Sequence, residues 1–429
     1  MSCDKQTSSS RTPINLFDPA VLVDPWHAYQ VLRDEAPVQF MPAGQVHVVT
    51  RYDLVMQVLR DSQTYSSQYG PFIDETRQHW LSGASPAVKD KYLKIANQML
   101  PPLDTLLTAD PPTHKKYRSK VDRIFTTTNV RHMEPHIQQV IDEAIDGFIE
   151  KGQVDFMQAF ALPVPLRIIS DRLGVPPKDR PFFYDGATVA ASSFRLTTYS
   201  DDELLRRAQV MVDLQNYMVD LVQARRKDPA DDMCSVLGEV WLDDEQRPLN
   251  PAELWSILNQ FLVAGHETTA STFGWAMLLL CQSPELQAQL LEDPHAVRTF
   301  CEEALRLESP VQGLPRLVTK DTELGGYPLK AGAMLMLRYG AANRDERHFE
   351  CPAQVNLQRK NAGSQLAFGS GIHHCVGAPL ARQELNLGLS SLLSRMKHFR
   401  LTPGHEEPKA EPSVILRSLP ALNVQFDRR

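Results

Sequence analysis

The stretch from Pro251 to Gln282 limits this chain more than any other feature. Its apolar residues Leu254, Leu258, Phe261, Leu262 and Val263 keep a helical period. At about 1.5 Å per residue the helix would be roughly 50 Å long, enough to cross a whole domain. Helical patterning also dominates around it: Pro25 to Ala36, Asp53 to Asp61, Thr113 to Phe125, Val130 to Lys151, Leu162 to Leu173, Glu203 to Lys227, Pro294 to Glu308 and Ala378 to Met396. Strand-type alternation marks Val46 to Thr50, Arg316 to Tyr339 and Pro412 to Phe426, while 62–109 reads as irregular. The expected fold is mainly α with small β-sheets. Strands drawn from both ends of the sequence imply one interlocked domain over 13–429, behind a disordered lead over 1–12.

Composition narrows the class. Hydrophobic residues are 42% and charged residues 23%, which excludes wholesale disorder, and 429 residues can bury a large core that still encloses a cavity. The net charge of −7 argues against nucleic acid or an anionic membrane as the main partner. The longest strongly apolar run, Phe273 to Cys281, is half of the ~18 residues a membrane span needs. The first ten residues show no apolar leader, so a cytoplasmic location is expected.

Six cysteines are present, with no C-x-x-C pair, which removes zinc-ribbon, thioredoxin-like and covalent c-type haem readings. One of them stands out, in Phe368-Gly-Ser-Gly-Ile-His-His-Cys-Val-Gly. A glycine-rich loop leads into Cys375 and a helix starts just after it, so backbone N–H groups and the helix dipole favour a thiolate. Gly369, Gly371 and Gly377 let the backbone approach a flat ligand. His373 adds a donor that can become a cation. A Cys–His nucleophile pair is a second functional reading. Zinc fits poorly, because adjacent His-His-Cys side chains cannot all face one tetrahedral ion.

The loop resembles the signature F-x-x-G-x-x-x-C-x-G of the cytochrome P-450 haem-thiolate monooxygenases, matched by Phe368, Gly371, Cys375 and Gly377. The resemblance implies that Cys375 is the axial ligand of a non-covalent haem b iron, held between the long helix and the Cys-loop helix. Ala264-Gly-His-Glu-Thr-Thr, midway along the long helix, is similar to the family's A/G-G-x-D/E-T-T. By that likeness Thr268 stabilises O₂ and a water, Glu267 relays protons, and Ala264 and Gly265 leave room above the iron. Threonine hydroxyls in this stretch can also bond back to a carbonyl and bend the helix. Glu303 and Arg306 match E-x-x-R, with Arg359 as the later partner and a structural role for all three. His114, Arg118, Arg316 and His373 resemble the cations that hold the haem propionates.

The chain is therefore expected to be a soluble, bacterial-type haem-thiolate monooxygenase. It would insert one atom of O₂ into an apolar small molecule, by hydroxylation or O-dealkylation, with a terpenoid or alkyl-aromatic substrate favoured. Electrons would come ultimately from NAD(P)H through a ferredoxin and its reductase, docking near Lys115, Lys116, Arg118 and Arg382. Analogy lines the pocket with 70–107, 185–200, Gln260, Val263, Ala264, Gln312, Leu314, Val414 and Ile415. A monomer is expected. The alternatives are a haem-thiolate sensing protein without turnover and a haem-free Cys–His hydrolase.

Overall fold

A computed structural model describes residues 14–70, 81, 83–192, 198–242 and 244–429. The expected lead over 1–12, and parts of the 70–107 and 185–200 pocket segments, lie outside these residues.

The long helix runs unbroken over Pro251–Gln282. Its start is set by a reciprocal cap: Glu253 N donates to Asn250 Oδ1 at 2.9 Å and Asn250 N donates to Glu253 Oε2 at 2.8 Å, with Pro251 at the first helical position. It ends at Ser283, whose hydroxyl accepts from Leu286 N and so caps the next helix, Pro284–Glu292. Leu254, Leu258, Phe261, Phe273, Met277 and Leu280 are all buried, because helices cover it on several sides: Pro163–Leu173, Asp201–Lys227, Val297–Glu308 and Ala378–Arg395.

The larger sheet has five strands, in the order Val38–Met41, Val46–Val49, Met334–Leu337, Pro315–Val318 and Tyr65–Ser66. The Val46–Val49 strand lies parallel to Met334–Leu337, with Val48 opposite Met336, and the other pairs are antiparallel. Side chains alternate across it. Val49, Leu335 and Leu337 enter one buried cluster, while Val48 and Met336 enter another with Tyr29 and Leu32. Both faces are thus packed, and strands from the two ends of the chain close one sheet. A second sheet orders Met396–Leu401, Asn423–Arg428 and Gln153–Asp155.

Two expectations need correction. The 62–109 segment contains the helix Pro86–Ala96, started by Ser85 accepting from Val88 N and by Pro86 at its first position. Pro412 to Phe426 is strand only over Asn423–Arg428, apart from a single bridge between Val311 and Leu416. The preceding residues are anchored to loops and side chains instead: Arg417 N donates to Pro310 O, and Trp275 Nε1 donates to Arg417 O at 3.1 Å.

Candidate active site

A cavity of about 1160 Å³ opens between the middle of the long helix and the Cys375 loop. Ala264, Gly265, Thr268, Thr269 and Thr272 form one wall; Phe368, Gly369, His373, Cys375 and Gly377 form the opposite one. Gln260, Val263, Leu314, Val414 and Ile415 also line it.

Polar side chains in the helix wall bond to carbonyls one turn back. Thr268 Oγ1 donates to Ala264 O at 2.9 Å, Ser271 Oγ to Glu267 O at 2.8 Å and Thr272 Oγ1 to Thr268 O at 2.9 Å, while His266 Nδ1 meets Leu262 O at 2.7 Å. The hydroxyls satisfy themselves locally, and the helix continues through the motif. Gly265 has a packing role besides its place in the wall: a Cβ there would lie 2.9 Å from Ile169 Cγ1, so its lack of a side chain lets the helix Pro163–Leu173 press close. Glu267 is buried on an adjacent face and does not line the cavity.

The opposite wall is a tight loop. Cys375 N donates to Phe368 O at 2.9 Å, and the helix Ala378–Arg395 starts just beyond Gly377. Gly371 has φ +72°, and a Cβ there would sit 2.3 Å from Leu59 O, so only glycine fits. Burial pushes the Cys375 thiol up, against the opposing pull of the Gly377 and Ala378 backbone and of Arg118 and Arg382. Desolvation thus outweighs the helix terminus, contrary to the sequence expectation. Among the described residues, no hydrogen bond links Cys375 Sγ to a histidine, as a Cys–His nucleophile would need.

Beside the thiol, cations converge. His373 Nδ1 donates to Leu106 O at 3.1 Å, and its Nε2 is buried without a partner. His114 Nε2 is likewise buried and unpartnered, and its ring centroid lies 4.4 Å from that of His373. Arg316 is 4% exposed and lines the cavity, with Nη1 bonded to Pro315 O at 2.7 Å. Arg118 also lines the cavity, paired with Asp122 on its own helix. Burial first, then Arg316 and His114, push His373 down to about 3. His373 is thereby held neutral, with Nε2 unfilled beside Arg316 and Arg118, and carboxylates entering among these groups would favour its protonation and give it a partner. The donor set therefore fits a flat ligand with two carboxylates, whose metal centre would take Cys375 Sγ.

Behind the loop, Glu303, Arg306 and Arg359 form a closed cluster. Glu303 Oε1 accepts from Arg306 Nε at 2.7 Å and Arg359 Nε at 3.0 Å; Oε2 accepts from Arg306 Nη2 at 3.0 Å and Asn356 N at 2.9 Å. The remaining guanidinium donors reach the carbonyls of Asn343, Pro352, Gln354, Glu350 and Cys351. This cluster does not line the cavity.

Two pocket expectations change on the structure. Gln312 does not line the cavity; its neighbour Val311 does. The Gln312 side chain turns the other way, accepting from Tyr29 Oη at 3.0 Å and donating to Glu308 O and Ser309 O, while its backbone N donates to Ile415 O at 2.7 Å. Tyr29 Oη also accepts from Arg338 Nε at 3.0 Å, and Arg338 Nη1 holds Val414 O at 2.6 Å. A buried network therefore seats Val311, Leu314, Val414 and Ile415 from behind. Gly313 completes it: a Cβ there would fall 1.7 Å from Leu337 O. Gln260 is in the wall, yet its amide is occupied by Leu107 N at 2.8 Å and Thr105 Oγ1 at 2.7 Å, so it clamps the 105–107 segment.

Sequence reasoning passed over Glu384. It lines the cavity from the Ala378–Arg395 helix, is 1% exposed, and leaves Oε2 unpartnered; burial raises its carboxyl well above the ordinary range. Its only signal was an acid beside apolar Leu380, Leu385 and Leu389. Arg207 also lines the cavity and was not anticipated.

Comparison with known proteins agrees with this architecture. A family model for cytochrome P-450 matches residues 186–426. Nocardicin C N-oxygenase of Nocardia uniformis subsp. tsuyamanensis is 33% identical, covering 96% of this chain and 98% of that one. Vitamin D(3) 25-hydroxylase of Pseudonocardia autotrophica is 31% identical over 99% of each. A solved cytochrome P-450 from Chondromyces apiculatus superposes with a TM-score of 0.81 at 29% identity, covering 97% of this chain and 98% of that one. Membership excludes the haem-free hydrolase. The chain belongs to the cytochrome P-450 family and is a monooxygenase that uses haem b, O₂ and reducing equivalents from NAD(P)H.

Proposed function

We propose that this chain hydroxylates or O-dealkylates an apolar small molecule held in the cavity, with terpenoids and alkyl-aromatics favoured. The observation that carries the reading is the opposition of Thr268 and Cys375 across one cavity with a mainly apolar wall. When bound, haem supplies the redox-active iron at which O₂ is reduced and cleaved. Cys375 Sγ would bind its iron. His114, Arg118, Arg316 and His373 would hold its carboxylates. Thr268 Oγ1 can turn from Ala264 O to hold a water's proton in the cavity, and Glu267 resupplies protons from the adjacent face.

Electrons are proposed to arrive from a separate ferredoxin at a monomer. The docking set is smaller than the sequence suggested. Lys115 is exposed, but Lys116 pairs with Glu245, Arg118 with Asp122, and Arg382 with Glu302, which leaves less unbalanced charge.

The test is the absorption spectrum of the reduced, CO-bound protein, with wild type showing the thiolate band and Cys375→Ala losing it. Thr268→Ala is expected to consume reductant at a near-normal rate but divert it to hydrogen peroxide. Tight coupling of reductant to product in that variant would refute the proton role.

A further inference from the structure

One cation in the cavity wall has no part in the reading above. Arg207 sits on the helix Asp201–Lys227, in a stretch of wall shared with Val189, Ala190, Leu204, Ala208 and Met211. Its Nη2 donates to Val189 O at 3.0 Å and to Ser192 Oγ, which ties it to the end of the helix Arg180–Ala191. Its guanidinium stands 4.1 Å over the Tyr199 ring. Nη1 lies 3.6 Å from Glu203, beyond hydrogen-bond reach, and both Glu203 oxygens already accept from Arg206, at 2.8 and 3.0 Å. Among the described residues, Nε and Nη1 therefore make no hydrogen bond. The other basic groups in the described wall, Arg118, Arg316 and His373, belong to the cation set around the Cys375 loop.

A guanidinium on the wall of an apolar cavity, anchored through one nitrogen, with Nε and Nη1 outside any hydrogen bond and Nη1 only in a loose ion pair with Glu203, can receive a planar anion. We propose that Arg207 selects substrates that carry a carboxylate on an apolar body, gripping it through Nε and Nη1 while the hydrocarbon portion lies along the wall. The proposal rests on the monooxygenase reading and narrows its substrate class to amphipathic acids. Straight-chain and cyclic acids share this chemistry.

The test uses haem-loaded protein and two matched pairs of ligands: tetradecanoate with tetradecanol, and the diterpenoid acid abietate with its alcohol abietinol. Dissociation constants are read from the haem spin-state shift and by calorimetry. For at least one pair, the wild type should bind the acid roughly tenfold more tightly than the alcohol, the fold-change of one charge-assisted hydrogen bond. The pair that shows the preference identifies the skeleton. Arg207→Leu should abolish the preference and leave the alcohol's affinity unchanged, whereas Arg207→Lys should keep part of it. Haem content per chain checks that each variant is folded. Equal affinity within both pairs in the wild type overturns the proposal, as does an Arg207→Leu that weakens acid and alcohol alike, the mark of a mere tether. Failure of all four ligands to bind protein with an intact CO band also overturns it. A missing CO band would instead overturn the monooxygenase reading.

Discussion

Two clusters of buried charge flank the Cys375 loop, and they are finished differently. Around Glu303 every carboxylate oxygen and every guanidinium nitrogen meets a protein partner, five of them backbone carbonyls. Around His373, Arg118 and Arg316 line a cavity, and two imidazole nitrogens, Nε2 of His373 and of His114, are buried without partners. The first cluster is complete as polypeptide and can only hold the fold. The second leaves polar atoms unfilled, as the proposed binding of carboxylates there would require. Buried polar groups are normally satisfied, and where they are not, the mismatch points to the ligand.

The sharpest way to break this contrast is Glu303→Ala. It leaves the buried Arg306 and Arg359 uncompensated and should cost about 3–5 kcal/mol, seen as a large fall in the denaturation midpoint with or without haem. Arg316→Ala should do the reverse. Apoprotein stability should change little, while the haem dissociation constant, measured by transfer to a competing haem-binding protein, rises by the equivalent of about 1.5–3 kcal/mol. Equal effects of both substitutions on the apoprotein would erase the distinction.

Glu253 offers a third, closed case nearer the surface. Its carboxylate accepts from Arg247 at 2.7 and 3.0 Å, Tyr117 Oη at 2.9 Å and Asn250 N at 2.8 Å. Burial raises its pKa, but these bonds outweigh burial and leave it below the ordinary 4.5. A depressed folded-state value means that the stabilisation is complete above about pH 4.5 and disappears as pH falls through the folded pKa. Acid titration of unfolding should therefore show wild type losing its advantage over Glu253→Gln below that pH, and a constant gap would contradict the assignment. The smallest effect is expected from Tyr29→Phe. It removes one hydroxyl behind the cavity wall, costs about 1 kcal/mol, and should shift product regioselectivity rather than haem binding.

Helices were the most legible part of the sequence. Pro251–Gln282 was bounded correctly because a proline opens it and its apolar period is long. Local signals also outlined Asp201–Lys227 and Ala378–Arg395 to within about two residues. Pro86–Ala96 escaped because none of its residues is buried, so no apolar stripe announces it; only Ser85-Pro86 marked its start. Residues 412–422 misled because their alternation reflects burial against loops and side chains rather than pairing in a sheet. In the site, motif spacing brought out Cys375 and Thr268. It could not show that Gln312 turns toward Tyr29, that Gln260 clamps a loop, or that Lys116 and Arg382 are already neutralised. Those outcomes depend on partners 80 to 283 positions away for which no local pattern exists: Tyr29 from Gln312 is such a case.

Gly313 carries a consequence for how this cavity can be remodelled. A single methyl group at that position would collide with the Leu337 carbonyl, so the 311–316 turn is latched against the Met334–Leu337 strand. Val311 and Leu314 therefore behave as exchangeable tiles on a rigid tray: their size can vary while the path of the main chain stays put. Variation there offers a route to new selectivities without re-engineering the scaffold, whereas even alanine at 313 would lift the tray itself.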